Sequence, residues 1–62
     1  MKLKKLLNLL MYHVDIVEYY NDNMTSLYSF SIDEIPENAE DEIVKFNIYE
    51  KDGKRILEVI KK

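Results

Sequence analysis

Sixty-two residues hold one domain at most, because a chain of this length buries only about 60% of the surface its unfolded form exposes and has none to spare for a second core. With no cysteine and a single histidine, His13, disulfide staples are excluded and a zinc site of the usual nitrogen and sulfur ligands is out of reach. Twelve acids against nine bases leave a net charge of −3, so no overall positive field gathers phosphates and direct nucleic-acid binding is disfavoured, while 47% hydrophobic content is that of a chain that folds.

Leu3, Leu6, Leu7 and Leu10 recur at i, i+3, i+4 and i+7, with Lys2, Lys4, Lys5 and Asn8 on the other side, which predicts an amphipathic helix. Isolated helices below ~12 to 15 residues are marginal in water, and lysines at an N-terminus oppose the helix dipole. This helix therefore needs an apolar surface to rest on. Lysines followed by leucines also suggest a secretion signal, but Asn8, His13 and Asp15 interrupt the stretch and no small-residue cleavage site follows. No run approaches the ~20 apolar residues that cross a bilayer. A cytoplasmic protein with no membrane contact is expected.

From His13 to Tyr20 the chain becomes β-branched and aromatic, Asn21-Asp22-Asn23 supplies turn chemistry, and Met24 to Ile32 reads as a second strand. A three-residue loop with Asn23 left-handed sets Tyr20 against Met24, Ile16 against Tyr28 and Val14 against Phe30. A two-residue loop sets Val17 against Tyr28 and mixes polar with apolar on each face, so the longer turn is expected. Asp33 to Glu42 follows, with six acids in ten residues and Pro36 and Glu37 placed to start one helical turn. Asp52-Gly53 is then a strong type I′ hairpin signal. Closing it pairs Lys51 with Lys54, Ile48 with Leu57 and Phe46 with Val59.

The expected fold is α+β, a single domain over residues 1–62 in the order α-β-β-β-β. One short N-terminal helix packs on one face of a four-stranded antiparallel sheet made of two β-hairpins, with the acidic loop between them. The inner face comprises Val14, Ile16, Tyr28, Phe30, Ile32, Val44, Phe46, Ile48, Leu57 and Val59. The same register exposes Val17, Tyr19, Leu27, Ile43, Tyr49, Ile56 and Ile60 among Asp15, Lys45, Asn47 and Glu58. So apolar an outer face marks a protein contact, unless its tyrosines and isoleucines only stabilise the sheet through cross-strand pairs.

Catalytic chemistry finds little purchase here. Gly53 belongs to the hairpin, so neither a phosphate-cradling loop nor a dinucleotide fingerprint can be built. His13 beside Asp15 has no nucleophile marked near it and reads as a solvent-facing residue at a strand start. No cofactor and no metal are expected, and the protein reads as a non-enzyme. Glu37, Glu40, Asp41 and Glu42 either imitate a phosphate backbone before a basic groove or are simply solvated.

In its layout the chain resembles small proteins encoded by phages and mobile elements of low-GC Gram-positive bacteria. The resemblance lies in Met1-Lys2-Leu3-Lys4-Lys5-Leu6-Leu7, in the strand from Val14 to Tyr20 ending in Asn-Asp-Asn, and in Ile35-Pro36-Glu37 before the last hairpin. It spans most of the chain without a diagnostic motif. Some such proteins inhibit bacterial defence systems, anti-CRISPR proteins among them, and the resemblance implies a steric inhibitor in the host cytoplasm whose partner is a host protein or complex. The contact residues expected for it are Val17, Tyr19, Leu27, Tyr49 and Ile56 with Glu37, Glu40, Asp41 and Glu42. The alternatives are a structural module that closes a homo-oligomer through its outer face or an edge strand, and a small regulator that touches nucleic acid through its lysine-bearing ends.

Overall fold

The computed structural model describes residues 1–34 and 39–62, with Tyr28 described by its backbone alone. The helix α1, Leu3–Leu10, buries Leu3, Leu6 and Leu7, as the leucine spacing requires. It has no side-chain N-cap. Its first turn is instead closed by the acidic segment: the Leu3 N–H donates to the Asp41 carbonyl at 3.0 Å and the Lys4 N–H to the Ala39 carbonyl at 2.6 Å. Two of the amides that every helix start leaves unpaired are thereby satisfied by backbone. The lysine charge that opposes the dipole is offset there too, since Lys2 Nζ donates to the Glu40 carbonyl at 3.1 Å.

Four strands follow: β1 Ile16–Tyr20, β2 Ser26–Ser31, β3 Ile43–Lys51 and β4 Lys54–Lys61. Their order in the sheet is β2-β1-β4-β3. Both hairpins form, β1 antiparallel to β2 and β3 antiparallel to β4, but they join through β1 and β4, which lie parallel. The sheet is mixed, which corrects the expectation of four antiparallel strands. A parallel join needs a crossing connection, and residues 32–42 supply it. That segment leaves β2 beside Asp15, whose carbonyl accepts from the Ile32 N–H at 3.1 Å, and arrives at the helix start with Ala39 and Asp41. The helical turn expected at Pro36 and Glu37 lies outside the described residues.

The join has a physical reason. Central strands of a sheet are covered on both sides and carry nearly continuous apolar runs, and β1 and β4 read Ile-Val-Glu-Tyr-Tyr and Ile-Leu-Glu-Val-Ile residue against residue. On the helix side this sets Val17 beside Leu57 and Tyr19 beside Val59, all fully buried beneath Leu3, Leu6 and Leu7, with Val14 and Ile43 closing the core. Phe30 and Ile32 pack against it from the β2 side. Each such side chain contributes about 1.5–3 kcal/mol by leaving water.

The β3–β4 register matches expectation pair for pair from Lys51–Lys54 to Phe46–Val59. The β1–β2 register does not. Val17 stands opposite Phe30 and Tyr19 opposite Tyr28, with a bulge between Tyr19 and Tyr20. Asn21 explains the shift, because its Oδ1 accepts from both the Asn23 and Thr25 amides at 3.0 Å. This lengthens the loop and puts Met24, not Asn23, in the left-handed region at φ +64°. Changing a strand's phase exchanges its faces, so Val17 and Tyr19, expected outside, fill the core, and Ile16 moves to the far side.

Candidate interaction surface

The far side of the sheet, with no helix on it, was expected to be the sticky face. Its apolar residues are in fact shielded: Ile56 and Ile60 are each only 5% exposed. The shield is a tyrosine pair. Tyr49, on β3, donates its hydroxyl to Glu18 Oε1 on β1 at 2.5 Å, which carries its ring across β4 and over Ile56. Tyr20 donates to the same oxygen at 3.3 Å. The carboxylate of Glu18 holds the Tyr49 phenol in its neutral form, with some loss of hydration and the Glu18 charge acting the same way, and pushes its pKa up to about 12. Tyr20 is raised as well, first by partial burial and then by Glu18. Glu18 and Glu58 stand side by side in the middle of this face, with Asn47 opposite Glu58 on β3. The face is polar at its centre.

The residues expected to form a contact are thus scattered. Val17 and Tyr19 are sealed under the helix, and Ile56 lies beneath the tyrosine shield. Tyr49 is half-buried and engaged by Glu18, and Leu27 is exposed on β2, the opposite edge from Tyr49. Glu37 lies outside the described residues. Two of the other acids, Asp41 and Glu42, tie the loop to the fold through their carboxylates. Asp41 Oδ2 accepts from the buried Tyr19 hydroxyl at 2.7 Å and lies 3.5 Å from Lys61 Nζ. The N-terminal ammonium sits 3.0 Å from Glu42 Oε2, and its hydrogen bond holds the Glu42 carboxyl below the usual range. Glu40 lends its carbonyl to Lys2. Two of these carboxylates therefore answer cations of the same molecule, while Glu40 contributes its backbone carbonyl. Among the described residues no group of three or more His, Cys, Asp or Glu is placed to hold a metal ion.

Among the exposed apolar side chains, Phe46 and Ile48 stand together on the helix side of β3. Both were expected in the core and are 46% and 41% exposed, and Val44, also expected there, is 58% exposed. Width explains it: strands lie about 4.8 Å apart and a helix is about 10 Å across, so one helix covers about two strands of four. Here those are β1 and β4. A bulge between Ile43 and Lys45 turns Ile43 into the core and leaves Val44 outside it. Beside it, Met1, Ile43, Val44, Lys45 and Phe46 line a hollow of about 350 Å³. β3 is also an edge strand with no described strand beyond it except at its start, where Lys2 bridges to Glu42 and Met1 accepts from the Ile43 amide at 2.8 Å. The count of one helix against four strands was the sequence signal that two of the strands would lack a cover. No protein-family model matches this chain, and neither does any curated protein or solved structure.

Proposed function

We propose that this chain is a non-catalytic protein-interaction module that docks another polypeptide along the open edge of β3. One observation carries the reading: Phe46 and Ile48, alternate residues of an edge strand with no described strand beyond this stretch, both stand exposed on the helix side. An edge that is both apolar and open is a template for another strand, and proteins that do not use such edges blunt them. Backbone hydrogen bonds supply affinity in such an arrangement, and the alternate side chains supply selectivity. The narrower form of the reading rests on the layout resemblance: steric blocking of a bacterial defence complex in the host cytoplasm, with the β3 edge in place of the outer-face residues first expected to make the contact.

The test is a comparison between the parent chain and a Phe46→Lys, Ile48→Lys double variant, each tagged and mixed with host extract and with an untagged copy of the parent. Both positions are solvent-facing, so circular dichroism and thermal unfolding should stay close to the parent's. A polypeptide that the parent retains and the variant loses supports docking at β3. Equal retention by both, or retention of nothing, overturns it.

A further inference from the structure

We infer that the polypeptide on the β3 edge is a second copy of this chain, joined strand to strand about a two-fold axis through Asn47, so that two four-stranded sheets become one. This rests on the docking reading above and names its partner.

The hairpin decides which backbone groups are free. In a two-residue turn closed by Lys51 and Lys54, the residues exchanging hydrogen bonds with β4 are Lys51, Tyr49, Asn47 and Lys45. The N–H and C=O groups of Glu50, Ile48 and Phe46 then point away from the sheet. Phe46 and Ile48 thus offer a bare side chain and a bare amide together. At the start of the strand the edge is already taken, by the Met1 carbonyl on the Ile43 amide and by the Lys2–Glu42 bridge. The open stretch runs from Val44 to Lys51.

Within that stretch one antiparallel self-pairing sets apolar against apolar at its centre. With Asn47 on the axis, Phe46 faces the second copy's Ile48 and Lys45 faces Tyr49; the bulged Val44 falls opposite Glu50 only at the two ends, and Lys51 of each copy passes beyond the open stretch. With Ile48 on the axis, Lys45 would face Lys51 and Phe46 would face Glu50, each twice, opposing like charges and setting carboxylates on apolar rings. With Phe46 on the axis, the pairing would run through the bulge at Val44 and into the Met1–Leu3 segment. The axis stands perpendicular to the sheet, so both helices lie on one side. Phe46 and Ile48 of the two copies then form a row of four apolar side chains in the trough between them.

The chain has no cysteine, which permits a direct test with single thiols. Asn47→Cys brings two thiols together in a non-hydrogen-bonded pair, where Cα atoms lie about 4.5 Å apart and a disulfide can close. Glu50→Cys, on the same strand, places them six residues out of register. Under mild oxidation Asn47→Cys should become a covalent dimer while Glu50→Cys stays monomeric. By sedimentation the parent should associate reversibly with concentration, and Phe46→Lys should associate at least tenfold more weakly. Equal cross-linking of the two cysteine variants, a parent monomeric up to millimolar concentration, or association untouched by Phe46→Lys overturns the inference. Should the parent be monomeric yet retain a foreign protein that the double lysine variant loses, the second copy is excluded and docking at β3 stands.

Discussion

The two hairpins of this small sheet solve the same problem with different chemistry. In the β3–β4 hairpin, Asp52 and Gly53 take positive φ, at +54° and +79°, and the register runs unbroken from there to Lys45–Ile60. The β1–β2 hairpin has no glycine; Asn21 gathers two amides on one side-chain oxygen, Met24 takes the left-handed conformation, and a bulge follows within the strand. Their outer strands differ as well. Ser26, Ser29 and Ser31 interrupt the β2 edge, where Leu27 is exposed, whereas Phe46 and Ile48 stand bare together on the helix side of β3. Polar side chains blunt an edge, and paired apolar ones leave it wanting a cover. The hairpin with the better turn thus bears the more adhesive edge.

The largest expected effect separates the inner strand of that hairpin from its outer one. Leu57 and Ile48 face each other across the ladder, yet Leu57 is fully buried and Ile48 is 41% exposed. Leu57→Ala should cost about 3 kcal/mol, as deletions in a sealed core do, while Ile48→Ala should cost less than about 1 kcal/mol. Urea denaturation of both variants at a concentration low enough to keep the chain monomeric checks the difference. Equal losses would mean that β3 is covered in the isolated chain.

How much of this could be read from residues alone follows the same division. The β3–β4 register was legible because Asp-Gly admits one tight turn and parity then settles every pair. The helix was legible because four leucines at helical spacing leave no other face. In the first hairpin the three turn residues do not say which of them turns left-handed, and the Asn21 side chain, in capturing two amides, adds the residues that shift the phase. One slip then exchanged Val17 and Tyr19 with Ile16, and with them the expected contact surface. The parallel join had a visible trace that local reasoning passes over: Ile-Val-Glu-Tyr-Tyr and Ile-Leu-Glu-Val-Ile share a pattern of two apolar residues on either side of a glutamate, the mark of strands covered on both faces. Nothing in the loop composition announces that Ala39 and Asp41 close the helix start, since they do so with backbone carbonyls.

The turns themselves give a smaller, opposed pair of effects. Met24 bears a side chain at φ +64°, a conformation that costs a residue other than glycine about 1 kcal/mol. Met24→Gly should therefore be neutral or stabilising by up to about 1 kcal/mol, the relief being partly cancelled by glycine's greater freedom when unfolded. Gly53→Ala should lose about 1 kcal/mol at its positive φ, although a Cβ there meets nothing within 4 Å, so the loss is conformational and not steric crowding. Thermal unfolding of the two variants measures the pair. Both turns losing stability would mean that Met24 makes contacts outweighing its strain.

The subtlest difference lies where the hairpins are tied together on the open face, through the Tyr49 hydroxyl of one and the Glu18 carboxylate of the other. The Tyr49 phenol is pushed up to about 12 from an ordinary value of 10.0, with the hydrogen bond to Glu18 as the main cause. A folded-state value above the unfolded one contributes stability that is complete below pH 10 and is lost as pH rises toward 12, because over that window the unfolded tyrosine ionises while the folded one still holds its proton. Ultraviolet absorbance during an alkaline titration should show a late-ionising tyrosine that Tyr49→Phe removes, and that variant should lose less stability across the window than the parent. Tyr20 should continue to titrate late without Tyr49, since partial burial and its own contact with Glu18 raise it independently. If the parent's tyrosines all ionise together near pH 10, the bond between the hairpins is absent in solution. Ile56 then loses its shield, and the open face gains apolar surface to set beside that of the β3 edge.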